Sequence, residues 1–271
     1  MNVTEEEINR RWVDLSDRAV FRLTGPDSVR YLNGQVTNDV TKVDETNSLP
    51  ACLCNAKGKV QALVWISKEG NSLLIDGELS QRDEVFARLD RYLIADDCEL
   101  GDETGKLRLI HHFDGDIGGA RSRRLTIPGY DRWITVDNGE LSEDLRIPGE
   151  KWEELELRSR IPKASKEITG SEFPAELVVN EWAVDFQKGC YLGQEVISRI
   201  ESVGRVKRQL SLIFADAFIS QEATMRNEEL GEGVATRDSK EISEGKNLSM
   251  GWFSNQMEER QPTVFQKVRL D

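Results

Sequence analysis

Histidine and cysteine are both scarce in this sequence of 271 residues, which contains two histidines and four cysteines. The histidines are adjacent, His111 and His112, and no His-Glu-x-x-His pattern accompanies them, which excludes most metal-dependent hydrolases and Ser/His nucleophile pairs. The four cysteines are too few and too scattered for a disulfide framework, so free thiols in a reducing compartment are predicted. We therefore expect a cytoplasmic protein.

Long apolar runs and excess positive charge are also absent. No stretch approaches the ~20 apolar residues that a membrane helix needs, and residues 1–11 lack the apolar segment of a signal peptide. Lys and Arg together number 36 against 49 Asp and Glu, which gives a net charge of -13. A phosphate backbone attracts a basic surface, so neither a membrane nor nucleic acid is expected as a direct partner.

The hydrophobic pattern predicts an α+β fold followed by an all-β tail. Up to residue 204, strands and amphipathic helices follow an order typical of an antiparallel sheet with helices on one face. The predicted elements are a helix from the Thr4–Glu7 capping box to Trp12, a strand at 19–23, a helix to Gln35 with Val29 and Leu32 inward, a hairpin at 49–54 and 60–66, a helix capped by Ser80, and a strand at 107–111. The predicted division is residues 1–204, in two subdomains, and a small C-terminal β-barrel or sandwich at residues 205–271.

Two closely spaced pairs of residues have simple structural interpretations. Cys52 and Cys54 would share one face of a strand, but a metal site needs two further soft ligands, and nothing in the sequence nominates them. We therefore predict no metal, and buried cysteines acting as small apolar side chains. His111 and His112 are expected on opposite faces of a strand, one packed and one in solvent.

Residues 188–195, Lys-Gly-Cys-Tyr-Leu-Gly-Gln-Glu, combine a lysine, a thiol, an amide and a carboxylate within eight positions. Gly189 and Gly193 permit a positive φ or a close backbone approach. A lysine two residues from Cys190 favours the thiolate, which is the nucleophilic form of cysteine. The residues alone support two interpretations equally, a reactive cysteine and a tight loop whose cysteine only packs.

This segment resembles the signature of the YgfZ-type folate-binding proteins, relatives of the glycine-cleavage T-protein, an aminomethyltransferase. Three earlier segments match the family in order and spacing: Gly-Pro-Asp-Ser at 25–28, Thr-Asn-Asp-Val at 37–40 and Asn-Ala-Lys-Gly-Lys at 55–59. Ile161-Pro162 precedes the cysteine motif, and a matching stretch begins at Gly204. The resemblance extends over residues 15–212.

The resemblance implies an aminomethyltransferase-like α+β fold with a C-terminal β-barrel, built around a cleft that holds tetrahydrofolate. It also implies a role in assembling or repairing iron–sulfur clusters on client proteins, including enzymes that modify tRNA. The implied reactive group is Cys190, assisted by Lys188. The residues that it nominates for folate binding are Asn38, Asp39, Gln194, Glu195 and Arg199. A basic stretch, Arg199, Arg205, Lys207 and Arg208, is either a site for the glutamate tail of folate or a solvated strand edge.

Two departures from the family pattern keep other functions open. The T-protein has two aspartates after its Asn-x-x-Gly turn, whereas this chain has Ala62 and Leu63, which cannot transfer a proton. Many relatives bind the pterin ring with a glutamate just before Gly-Ile-Pro; here Arg158 occupies that position and cannot accept a hydrogen bond, while Glu156 is two residues away. The alternatives are a tetrahydrofolate-dependent one-carbon transferase with other carboxylates, and an interaction module that has lost folate binding.

Overall fold

Short helices connect three β-sheets. The computed structural model describes residues 3–135, 141–216, 218–227, 231–243, 246–254, 266–267 and 269–270. The helices are α1 Glu5–Ile8, α2 Ser28–Gln35, α3 Arg82–Asp90, α4 Gly149–Arg158, α5 Asn180–Ala183 and α6 Gln194–Val203. The strands are β1 Trp12–Asp14, β2 Arg18–Thr24, β3 Leu49–Cys54, β4 Val60–Glu69, β5 Ser72–Glu78, β6 Glu99–Asp102, β7 Arg108–His112, β8 Ala120–Ser122, β9 Gly129–Ile134, β10 Arg208–Ala215, β11 Thr224–Asn227, β12 Gly231–Ala235, β13 Lys240–Ser243, β14 Lys246–Ser254, β15 Gln266–Lys267 and β16 Arg269–Leu270. Within these ranges no helix is both long and apolar enough to cross a membrane.

Sheet I has the strand order β3-β4-β5-β2-β6, and each strand is antiparallel to its neighbours. The predicted hairpin is confirmed as β3 and β4. Its turn is closed by Asn55, whose Oδ1 accepts hydrogen bonds from the amides of Lys57 (2.9 Å) and Lys59 (3.1 Å). Gly58 adopts a φ of +73° in this turn, a conformation that glycine reaches at little cost.

Helices α2 and α3 cover one face of sheet I and bury Leu32 and Leu89 completely. The hydroxyl of Tyr31 on α2 donates to the carbonyl of Leu89 on α3, which ties the two helices together. The prediction that Val29 faces inward is wrong, because Tyr31 and Leu32 fill the core and leave Val29 exposed.

Two other helix boundaries differ from the predicted ones. The capping box of Thr4 and Glu7 is confirmed, but α1 ends at Ile8 because Trp12 already pairs in strand β1. The predicted cap of α3 at Ser80 is wrong. A 3₁₀ turn occupies that segment, and Gln81 takes the N-cap position without a side-chain cap.

Sheet II has the order β1-β7-β9-β8, antiparallel throughout, and packs against α4 through Trp152. His111 and His112 are both buried, so the prediction that one of them lies in solvent is wrong. Each ring has a polar partner inside the protein: His111 Nδ1 lies 2.7 Å from Asp131 Oδ1, and His112 Nε2 lies 2.7 Å from the carbonyl oxygen of Gly118.

A buried ion cluster joins sheets I and II. Arg124 donates two hydrogen bonds to Asp76 of β5 (2.9 and 2.8 Å) and two to Asp131 of β9 (2.8 and 3.0 Å). Burial alone would raise the pKa of Asp131, but the adjacent Arg124 charge lowers it below its usual range. The cluster therefore keeps its charges inside the protein, with each of them paired.

Sheet III has the order β15-β10-β14-β12-β11-β16, with β13 paired to β14. Its pairs are antiparallel except that of β10 with β15. The predicted closed barrel is not confirmed, since β15 and β16 remain the two ends of the sheet in the described part of the chain. Leu210 and Met250 of this sheet share a core with Leu63 of sheet I, and the division at residue 204 stays a prediction.

Candidate functional site

The loop between α5 and α6, residues 184–193, is called the cysteine loop and presents Cys190 to solvent as a free thiol. Two backbone hydrogen bonds hold its flanks, from the amide of Asp185 to the carbonyl of Thr37 (3.0 Å) and from the amide of Leu192 to the carbonyl of Gly34 (3.1 Å). The loop is thus fixed to α2 and to the segment after it, while its thiol remains accessible.

Lys188 points away from solvent and binds the backbone around the end of α2. Its Nζ donates hydrogen bonds to the carbonyl oxygens of Asn33 (2.6 Å), Val36 (2.8 Å) and Asn38 (2.8 Å). An ammonium group has three donors, so these carbonyls use all of them. Burial lowers the pKa of Lys188 to about 8. The geometry makes Lys188 an anchor of the cysteine loop, and its effect on the Cys190 thiolate stays a prediction.

Gly193 joins the cysteine loop to the hairpin turn of sheet I. It adopts a φ of +87° at the N-cap of α6. A Cβ at this position would lie 2.6 Å from the carbonyl oxygen of Asn55 and 3.0 Å from the Cα of Gly58. Two segments that are more than 130 residues apart in the sequence therefore pack backbone against backbone, which only glycine permits at this distance.

Asn38 and Asp39 have structural partners beneath the cysteine loop. The Asn38 Nδ2 donates to the carbonyl oxygens of Pro50 (2.8 Å) and Trp182 (3.3 Å). Asp39 caps a 3₁₀ turn, where its Oδ1 accepts from the amide (3.1 Å) and the hydroxyl (2.7 Å) of Thr41. These contacts connect the segment after α2 to sheet I and α5, and folate binding by either side chain stays a prediction.

The first turns of α6 carry the other predicted ligand-binding side chains. Gln194 is half-buried, and Glu195 and Arg199 are exposed. Among the described residues no ion pair engages Glu195 or Arg199. They therefore remain available to a ligand or a partner beside the cysteine loop. In the predicted basic stretch, by contrast, Arg208 already pairs with Glu172 (2.9 Å).

Both departures from the family pattern are accommodated inside the fold. Ala62 and Leu63 are buried on opposite faces of β4, in two different apolar cores. Arg158 is buried and pairs with Glu7 (2.7 Å) and Glu154 (3.2 Å). Its hydrogen bond to Glu7 is the main cause that lowers the pKa of Glu7 to about 2. This arginine is therefore held by α1 and its own helix.

Cys52 and Cys54 are buried in the core beneath the cysteine loop, together with Tyr191. Burial raises the pKa of Cys52 to about 12 and also raises that of Cys54. The interpretation of these thiols as apolar packing residues is confirmed. Across the described ranges, no group of three or more His, Cys, Asp or Glu side chains has the arrangement of a metal site.

Sequence reasoning missed a pair of arginines near the same core. Arg123 follows β8 and stacks over the indole ring of Trp182, with 5.6 Å between the guanidinium carbon and the ring centroid. Arg160 follows α4 and has a φ of +55°. Burial lowers the pKa of both guanidinium groups, the carboxylate of Glu181 opposes this shift, and the charge of Arg160 lowers the pKa of Arg123 further. The one available signal was that Arg160 stands where the family pattern has glycine.

No family model matches the chain, but curated proteins and a solved structure do. The chain is similar to the tRNA-modifying protein YgfZ of Cronobacter sakazakii, at 27% identity over 227 residues, which cover 73% of this chain and 69% of the relative. YgfZ of Colwellia psychrerythraea is 26% identical over 234 residues, with the same two coverages.

The fold is similar to that of the glycine cleavage system aminomethyltransferase T from Bartonella henselae. The TM-score is 0.73 at 14% identity, and the match covers 90% of this chain and 78% of that one. The resemblance inferred from the sequence is therefore confirmed, both to the YgfZ proteins and to the aminomethyltransferase fold.

Proposed function

We propose that this chain is a folate-binding protein of the YgfZ type that acts in the cytoplasm. In this proposal it supports the assembly or repair of iron–sulfur clusters on client enzymes, including enzymes that modify tRNA, and Cys190 is its reactive group. The proposal is supported by relatives named as tRNA-modifying proteins and by the aminomethyltransferase fold. An iron–sulfur cluster normally takes four protein ligands. Cys190 alone could not hold one, so any cluster would be bound transiently or shared with a client.

The observation that carries the proposal is the contrast between an exposed thiol and its rigid surroundings. Cys190 is exposed, yet the loop around it is anchored by the three carbonyl contacts of Lys188 and by the close approach of Gly193 to Asn55. Positioning a reactive group on a fixed scaffold reduces the entropy lost when it meets a partner. A cysteine with only a packing role would be buried.

The described residues fit the anionic tail of folate. Arg123 and Arg160 offer positive charge to its carboxylates, and the ring of Trp182 supports the Arg123 guanidinium. A bound tetrahydrofolate would supply a one-carbon carrier. Ala62 and Leu63 provide no proton-transfer group, which argues against the aminomethyl-transferase alternative.

Complementation tests the role of Cys190. In a bacterium without its own YgfZ-type protein, we expect the wild-type chain to restore tRNA nucleosides whose synthesis requires an iron–sulfur enzyme. We expect Cys190→Ala to restore less than a tenth of that level. Cys98→Ala is the matched control, because Cys98 is also a free cysteine but lies outside the cysteine loop. Nucleoside mass spectrometry measures the result, and full restoration by Cys190→Ala would overturn the assignment.

Arg158 favours one alternative, an interaction module without folate. Its partners are Glu7 and Glu154, so the position that carries a pterin acceptor in many relatives offers none here. Calorimetric titration with tetrahydrofolate separates the two functions. Micromolar binding supports the folate-binding protein, and no binding up to millimolar concentration favours the interaction module.

We also propose that sheet III closes into the barrel expected from the resemblance. Strand β15 pairs with β10, and β16 pairs with β11 at the opposite end of the sheet. Only one residue separates β15 from β16 in the sequence. The strands at the two ends of the sheet are therefore close neighbours in the sequence, as a barrel without an open edge requires.

A further inference from the structure

Arg123 and Arg160 come from two segments that the fold brings together. Arg123 lies between β8 and β9, and Arg160 follows α4. The segments contact each other through the hydroxyls of Thr126 and Ser159, whose oxygen atoms are 3.3 Å apart. The backbone of Arg123 is held in addition by Trp65, whose indole nitrogen donates to its carbonyl oxygen (3.0 Å).

The two guanidinium groups lack the carboxylates that normally accompany such a pair. In the part of the chain that is described, neither has an ion pair or a side-chain hydrogen bond. Desolvation lowers the pKa of both groups, and the charge of Arg160 lowers that of Arg123 further. Glu181 acts on both from a distance but is itself exposed. Arg124, the next residue along the chain, is by contrast fully paired with two aspartates.

The backbone conformation of Arg160 is a second observation that indicates a binding site. Its φ of +55° lies in the left-handed region, which residues other than glycine adopt rarely and at a cost. Backbone strain of this kind is concentrated at ligand-binding positions. Here it holds a second positive charge near the first, an arrangement that an anion between the two would stabilise.

We infer that Arg123 and Arg160 bind the carboxylates of the glutamate tail of the folate, and that they select polyglutamylated forms. This inference rests on the proposed folate-binding function. The planar forks of two arginines suit a ligand with several carboxylates, because each fork can donate two parallel hydrogen bonds to one carboxylate, and a polyglutamate tail has a carboxylate on every glutamate. Stacking on Trp182 fixes the plane of the Arg123 fork. The site replaces the tail site expected along the basic stretch, where Arg208 is already paired.

Calorimetric titration with tetrahydrofolate carrying one or five glutamates tests the inference. We expect the wild-type protein to bind the pentaglutamate at least about tenfold more tightly, which is what one additional charge-assisted hydrogen bond contributes. Arg160→Gly and Arg123→Gln should each remove this preference. The first variant places at residue 160 the amino acid that tolerates its φ, so we expect its melting temperature to be no lower than that of the wild type. Arg91→Gln is the matched control, since Arg91 is an exposed arginine at the end of α3.

The outcomes separate this inference from the function on which it rests. Equal affinity of the wild-type protein for both ligands would overturn the tail site while leaving folate binding intact. The same holds if both arginine variants keep the preference. Failure of every folate to bind the wild-type protein up to millimolar concentration would overturn the proposed folate binding itself, and the tail site with it. A preference that is lost in both variants and kept in Arg91→Gln is the expected result.

Discussion

Two cysteine-containing segments lie on the same apolar core and present their thiols in opposite ways. On β3, Cys52 and Cys54 point into the core and are completely buried. In the cysteine loop, Tyr191 packs into that core while the preceding Cys190 is exposed. Tyr191 thus anchors the loop in the core, while its neighbour Cys190 stays accessible to solvent. A strand that alternates between two cores leaves no thiol accessible.

The anchoring of the cysteine loop is polar, whereas that of the buried pair is apolar. Lys188 satisfies three backbone carbonyls near the end of α2, groups that would lack donors inside the protein without it. The thiols of β3 instead pack in the core as small apolar side chains do. The first arrangement fixes the position of a loop, and the second adds only packing.

The largest expected effect is a difference in thiol reactivity between the two segments. A thiol reagent should modify Cys190 in the native protein at least about a thousandfold faster than Cys52 or Cys54, because the buried thiols react only after unfolding, which costs about 5 kcal/mol or more. Peptide mapping by mass spectrometry after timed labelling gives each rate. In denaturant the rates should converge. Modification of Cys52 at a rate near that of Cys190 would contradict the difference in thiol accessibility between β3 and the cysteine loop.

A second prediction concerns the glycine that joins the loop to the hairpin. Gly193→Ala should lower the free energy of unfolding by about 2–5 kcal/mol. This is the sum of the cost of the left-handed conformation for alanine and the cost of a Cβ that overlaps a carbonyl oxygen. The overlap is with Asn55, at 2.6 Å. Gly189→Ala is the matched control within the same loop, because its Cβ would meet no atom within 4 Å. Denaturant unfolding measures both variants, and equal losses would contradict the proposed backbone contact.

Local patterns in the sequence were sufficient for much of the fold. The turn at Asn55 and Gly58 was predicted because these residue types close tight hairpins, and the capping box of Thr4 and Glu7 because its spacing is specific. Positions that depend on packing were predicted less well. Val29 fits the helical period but is exposed, because the larger Tyr31 takes the place in the core.

The contacts of the candidate site could not be predicted because they join distant parts of the chain. Lys188 was placed beside Cys190 by sequence proximity, but its hydrogen bonds are to carbonyls about 150 residues earlier. Arg123 and Arg160 belong to segments with no common motif. One of the two adjacent histidines was expected in solvent, but both are buried, and His112 finds a polar partner inside the protein in the carbonyl of Gly118. Spacing identifies a loop, whereas its partners depend on the tertiary fold.

The smallest predicted effect is a pH dependence that arises from the buried thiols. Cys52 has its pKa raised from 9.0 to about 12 by burial, and Cys54 is shifted in the same direction. Above pH 9 the unfolded chain loses these protons and the folded chain keeps them, so the unfolded state binds fewer protons and stability falls as pH rises. At pH 10 each thiol should contribute a loss of about 1.4 kcal/mol.

The double variant Cys52→Ala, Cys54→Ala isolates this contribution from those of other titrating groups. The substitutions lower stability at every pH through lost packing, so the informative quantity is the change in the free energy of unfolding between pH 8 and pH 10. We expect that change to be smaller in the double variant than in the wild type, because alanine has no thiol proton to lose. An equal change in the double variant and in the wild type would show that the buried thiols of Cys52 and Cys54 do not cause this part of the pH dependence.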